Sequence, residues 1–243
     1  MEPHATFEEA ARDYLAELRT VQPQGPYLLG GFSGGGIAAF EMARQLRAEG
    51  QEVGALILLD TPLPYRDPIT AADKLSIHAQ RIRRRGAGYF IDWAKNRINW
   101  ELEQRRKRGG LAEVGNHRFH NEAIEQAFRA SLSKYKMSDF AGTLHLFRPK
   151  LPIEYKLSGG RLANQWREVI FEDNGWSRYC EDVRVKEVPG DHDSMVLEPN
   201  VRVLAAHLRE AIEQAEAQNR QRPGSVEQKR NPGSDNPGSD QVA

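Results

Sequence analysis

Apolar residues recur along the chain with two different periods. Phe7, Ala10, Ala11, Tyr14, Leu15 and Leu18 fall on one stripe at helical spacing, and Thr6-Phe7-Glu8-Glu9 is a capping-box sequence that opens the helix. Tyr27-Leu28-Leu29 is an unbroken apolar run between Pro26, which bars an incoming helix, and a glycine cluster, and it predicts a buried strand. Ile37, Ala38, Phe40, Met42, Ala43 and Leu46 then read as helix, with Gly50 as its C-terminal stop. Val53 to Leu59 is a second apolar run, ending in Asp60 and broken by Pro62 and Pro64, as a central parallel strand would be. Strand, helix and strand from 27 to 60 make one βαβ unit, whose crossover is expected to be right-handed. Open parallel sheets place their sites at the C-terminal edge, where Asp60 falls.

From about 66 to 140 the strand signals stop, and three helical patterns follow, near 70–85, 87–107 and 117–137. An insertion this long between strands reads as a helical lid. Thr143-Leu144-His145-Leu146-Phe147 resumes the strand pattern, and Val183 to Val188 alternates apolar and charged residues as a half-exposed strand does. A helix is predicted from about 198 to 216, with Val201, Leu204, Ala205, Leu208 and Ile212 facing the core. Beyond Ala217 the composition shifts to Asn, Gln, Arg, Pro, Gly and Ser, and Asn-Pro-Gly-Ser-Asp occurs twice in succession. The expected organisation is one α/β domain over 1–217, lid included, and a disordered tail over 218–243.

Charge narrows the function classes. The 243 residues carry 34 basic and 34 acidic side chains, so no global field favours nucleic acid. Locally the balance differs: residues 81–108 hold ten Arg or Lys against three acids, a charge of +7. Such a run is read first as a solvated helix face, and otherwise as a landing patch for an acidic carrier protein or a phosphate-bearing arm. The single cysteine, Cys180, rules out an internal disulfide framework, fits a reducing cytoplasm, and is expected to be packing. No apolar run is long enough to span a membrane and no charged start leads into one, so a cytoplasmic location is expected.

The candidate chemistry sits where the first strand meets the glycines. Gly31-Phe32-Ser33-Gly34-Gly35 fits G-x-S-x-G, a strand-to-helix turn that holds serine in a strained conformation with its hydroxyl exposed. The pattern is too short to decide alone, but a strand before it and a helix after it are the context it needs. Serine acyl transfer requires a base and an acid to orient the base. Among seven histidines, His192 stands on a tight loop at a strand end, after the serine, while the others lie mostly on predicted helices or, like His145, inside a strand. Asp60 is the candidate acid and Asp173 the runner-up; Asp191 and Asp193 are too close in sequence to His192 to orient its ring easily. Asp60 could instead cap the turn at Thr61-Pro62. The Gly34 N–H, at the start of a helix, is the natural first oxyanion donor. A second donor is expected from a loop after an earlier strand, and none of the four predicted strands precedes the serine strand. The expectation is a domain whose N-terminal strands are missing from this chain.

Gly25-Pro26-Tyr27-Leu28-Leu29-Gly30-Gly31-Phe32-Ser33-Gly34-Gly35, Leu58-Leu59-Asp60-Thr61-Pro62, Leu146-Phe147-Arg148, and Val188-Pro189-Gly190-Asp191-His192 with Pro199 and a closing helix agree in order with one family. From about Phe7 to Ala215 the chain resembles the thioesterase domains that end nonribosomal peptide and polyketide synthases. The resemblance implies an α/β-hydrolase fold with a mostly parallel sheet and a lid, and a triad of Ser33, Asp60 and His192, favouring Asp60 over Asp173. It also implies no cofactor, a phosphopantetheine-tethered acyl or peptidyl substrate delivered by a carrier domain, and release by hydrolysis or cyclisation. The alternatives are a free-standing editing thioesterase, or an inactive fragment that docks carriers. A general carboxylesterase is a further reading.

Overall fold

The apolar runs pair as strands of one parallel sheet. The computed structural model describes residues 4–86 and 122–221. Among these, β1 (Tyr27–Phe32), β2 (Val53–Leu59), β3 (Phe140–Pro149) and the later strand Cys180–Val188 stand in that order, each parallel to the next. Three two-residue strands, β4 (Tyr155–Lys156), β5 (Leu162–Ala163) and β6 (Val169–Ile170), form a separate antiparallel sheet, so the Cys180–Val188 strand is β7. The sequence pattern did not reveal these, because two-residue strands carry no measurable alternation.

The helices cover both faces of the main sheet. On one face α1 (Phe7–Val21) and α2 (Gly35–Ala48) pack on Leu56, Leu58, Leu144 and Leu146, all fully buried, together with Tyr27, Phe40 and Trp176. At about 25 cal/mol per Å², each such leucine contributes about 2 kcal/mol relative to exposure. On the other face Ala55, Ile57, Phe147 and Val188 meet Met195, Leu204, Ala211 and Ala215. The last three lie on the closing helix Val201–Gln221, which runs past the expected boundary at 217. Residues beyond it, the expected disordered tail, lie outside the described ones.

Two helices of the expected lid are described: α3 (Ala71–Arg85) and α4 (Glu122–Lys134); the closing helix is therefore α5. The pattern at 87–107 and most of the basic segment fall outside the described residues. Thr70 and Asp73 form a capping box at the start of α3. Asp73 also accepts from Ser158 and Arg161, which ties the lid helix to the small sheet. The Thr70 hydroxyl, Ser158 and Arg161 hold the Asp73 carboxyl well below the usual carboxylate range. Arg81 donates to the Tyr155 hydroxyl at 2.8 Å and Arg84 pairs with Glu154 at 2.6 Å. Two cations of the basic segment are thus paired with the strand Tyr155–Lys156 and its preceding residue.

The glycines of the strand-to-helix turn after β1 differ in what surrounds them. A Cβ on Gly31 would stand 2.4 Å from the Gly35 carbonyl carbon, and one on Gly36 would stand 2.0 Å from Thr61 Oγ1, whereas at Gly35 nothing lies within 4 Å. Gly31→Ala is therefore expected to cost about 3 kcal/mol, because backbone must move. Gly35→Ala should be neutral or stabilising by up to about 1 kcal/mol through helix propensity. Urea unfolding midpoints of the two variants check the contrast.

Candidate active site

All four main strands end at one edge: Phe32 and Leu59, the last residues of β1 and β2, lie side by side with Phe147 next in line, and β3 and β7 run on to pair Pro149 with Val188. Ser33 is the residue after β1 and Asp60 the residue after β2. Their N–H groups continue the ladder, Ser33 to Leu59 O at 2.9 Å and Asp60 to Phe147 O at 2.7 Å. Both then turn with left-handed backbones, φ 53° at Ser33 and 44° at Asp60. That region is costly for residues other than glycine, and its use here aims both side chains up from the edge.

His192 arrives from the loop after β7. Gly190, at φ 95°, makes the bend; a Cβ there would come within 2.6 Å of Asn200 Nδ2. Asp191 accepts from Ser194 N–H at 2.9 Å and from its hydroxyl at 2.6 Å, which closes the loop. The Phe32 ring stacks on the imidazole, with centroids 4.9 Å apart.

The three side chains that the sequence nominated meet. Ser33 Oγ lies 3.0 Å from His192 Nε2, and His192 Nδ1 lies 2.8 Å from Asp60 Oδ2. Because a carboxylate only accepts, Nδ1 carries the proton and Nε2 is left to accept from the serine hydroxyl. The bond to Asp60 raises the His192 pKa above its ordinary value; burial opposes this, and Asp193 and Asp191 add to it. The runner-up acid is elsewhere engaged: Asp173 accepts from the N–H of Gly175 at 2.8 Å and of Ser177 at 2.7 Å, capping its own turn. His145 is buried within β3, where burial lowers its pKa, and Cys180 is buried, its thiol pushed up to about 12 by burial. Gly34 opens α2 directly after Ser33, and the N–H groups of a helix's first turn have no carbonyl one turn back.

A cavity of about 400 Å³ opens on these residues, with Leu63, Leu151, Val169, Ile170 and Phe171 as its apolar wall. Its rim is strapped: Arg66 pairs with Glu168, Asp67 with Arg178 at 2.6 Å, and Tyr65 with Tyr179. Sequence reading missed these pairs, which join residues more than a hundred positions apart. It also missed Asn174 and Trp176, which reach the turn after β2, although Asp173-Asn174-Gly175 is a turn-forming sequence.

The thioesterase domain family model matches residues 1–212. The chain belongs to the thioesterase domain family. A non-reducing polyketide synthase of Cladonia metacorallifera is 46% identical over 219 residues, covering 82% of this chain and 10% of that protein. One of Aspergillus ustus is 27% identical over 243 residues, covering 87% of this chain and 11% of that protein. The chain thus spans about a tenth of the length of each of these two relatives. Among solved structures, the NocB thioesterase domain in covalent complex with a fluorophosphonate nocardicin G analogue superposes with a TM-score of 0.52. It is 23% identical, with 86% of this chain and 76% of that chain covered. The fold is that of an α/β-hydrolase, as the sequence implied. Among the described residues no helix is long and apolar enough to cross a membrane.

The raised His192 pKa has a stability consequence with a definite sign. A histidine whose pKa is higher folded than unfolded stabilises fully below about pH 6.5 and loses that contribution as pH rises through the folded value. The stability gap between the native chain and His192→Ala should therefore be widest in acid and shrink towards pH 8, as read from urea midpoints across pH.

Proposed function

We propose that the chain releases an acyl or peptidyl chain from the phosphopantetheine of a carrier domain, through an ester on Ser33. The observation that carries this is the relay Asp60–His192–Ser33, with links of 2.8 and 3.0 Å, lining a cavity that has an apolar wall. His192 Nε2 takes the hydroxyl proton as Ser33 Oγ attacks the thioester carbonyl. The N–H of Gly34 faces the developing oxyanion, and the imidazolium is held by Asp60. Collapse breaks the C–S bond, and the departing thiolate receives the proton from His192, leaving a free carrier thiol and an acyl-serine. Water, or a hydroxyl or amine within the chain, then attacks the ester with His192 again as base; serine leaves with its proton restored, and the product is an acid or a ring.

The chemistry asks for no group beyond these side chains and backbone donors, so no resident cofactor is assigned. The apolar wall of Leu63, Leu151, Val169, Ile170 and Phe171 suits an acyl chain, and α3 and α4 stand in the insertion where a lid would exclude water. The relatives are polyketide synthases, which supports a role in polyketide assembly and a carrier domain as partner.

A fluorophosphonate probe should label the native chain at Ser33, and Ser33→Ala should not be labelled; equal labelling overturns the assignment. Asp60→Asn should lower kcat for an acyl thioester about ten-thousandfold, since an amide NH₂ facing Nδ1 favours the tautomer whose Nε2 carries the proton and cannot accept from Ser33. In the native chain kcat/KM should fall about tenfold per pH unit below the His192 pKa, because the protonated ring cannot accept. A rate that stays flat through that range argues against His192 as base.

A further inference from the structure

The Asp60 carboxylate has two oxygens, and His192 uses one. The other, Oδ1, receives the side-chain amide of Asn174 at 3.3 Å, and the same amide lies 3.3 Å from Thr61 O. Both neighbours are acceptors, so the end of Asn174 that faces them is the NH₂ group. Trp176, fully buried, donates Nε1–H to the same Thr61 carbonyl at 2.8 Å. Two side chains of one loop therefore grip the two residues that carry the acid.

That loop holds its asparagine in a costly position. Asn174 has φ 52°, and it completes a set: of four non-glycine residues with positive φ among the described residues, three are Ser33, Asp60 and Asn174. Asparagine tolerates the left-handed region better than most residues, Gly175 follows at φ 86°, and Asp173 braces the turn through Gly175 and Ser177. A backbone held there by so many bonds points to a side chain whose placement matters.

We propose that Asn174 is a positioning residue for Asp60, fixing the plane of the carboxylate so that Oδ2 meets His192. This rests on the triad assigned above. A carboxylate held at one oxygen alone can rotate about Cβ–Cγ; held at both, it presents one oxygen to Nδ1, and the tautomer that leaves Nε2 free follows. The charges facing the imidazole are Asp60 from β2 and Asp191 and Asp193 on its own loop. Across the cavity stand Arg66, Asp67, Glu168 and Arg178, joined in two ion pairs, so the local field at the ring is set mainly by the three aspartates.

The test uses two substitutions in the intact chain. Asn174→Gly keeps the backbone conformation and removes the amide; Asn174→Asp keeps the size and replaces the donor with a second carboxylate. With an acyl thioester, each should lower kcat by about tenfold or more with KM within about twofold. The acidic limb of kcat/KM should move in opposite directions. It should fall to lower pH in Asn174→Gly, where Asp60 can turn away from His192, and rise to higher pH in Asn174→Asp, where negative charge is added. The same two shifts should appear in NMR titration of the His192 imidazole in the Ser33→Ala background, which needs no turnover. A native His192 titration and native kcat in both variants, with only the melting temperature lowered, overturns the proposal and leaves Asn174 as a loop brace. Activity retained in Ser33→Ala would instead overturn the triad, while the NMR titration still decides whether Asn174 governs Asp60.

Discussion

The site depends on how closely α2 approaches β1. A side chain at Gly31 would collide with the backbone of Gly35 and Gly36, and one at Gly36 with Thr61, the residue after the acid. The contact therefore sets two positions together. It forces the backbone to reverse within one residue, which puts Ser33 at positive φ, and it seats the turn after β2 against the start of the serine's helix. Ordinary core packing, of leucines on one face of β2 and β3 and of Ala55, Ile57 and Phe147 on the other, supplies the stability against which that strain is held.

Around this contact the structure adds partners from ever more distant sequence. The ladder bond from Asp60 N–H to Phe147 O fixes the height of the acid over β3. The loop after β7 supplies the base, with Phe32 stacked against it, and the loop after β6 supplies Asn174 and Trp176. Each catalytic candidate thus comes from a different strand end, and each is oriented by a neighbour from another.

The meeting of Ser33, Asp60 and His192 could be anticipated because Ser33 and Asp60 follow apolar runs, His192 follows an alternating strand and a Pro-Gly turn, and a parallel sheet delivers strand ends to one edge. The small sheet could not be, since Tyr155–Lys156, Leu162–Ala163 and Val169–Ile170 are pairs of residues whose partners are chosen by tertiary contact. Asn174 was hidden differently: its turn is visible in Asp173-Asn174-Gly175, but its target lies 114 positions earlier. The choice between Asp60 and Asp173, open on residue types alone, turns on a local fact. Asp173 spends both carboxylate oxygens on its own turn.

The strapped rim has an electrical consequence for how substrate arrives. Arg66 is neutralised by Glu168 and Arg178 by Asp67, so the mouth of the cavity presents cations and anions cancelled in pairs. These four side chains, among the described residues, therefore add no net charge of their own to the cavity lining. Under the proposed carrier-bound route, encounter is then governed by the length of the tether, which sets an effective concentration of the order of millimolar for short flexible links.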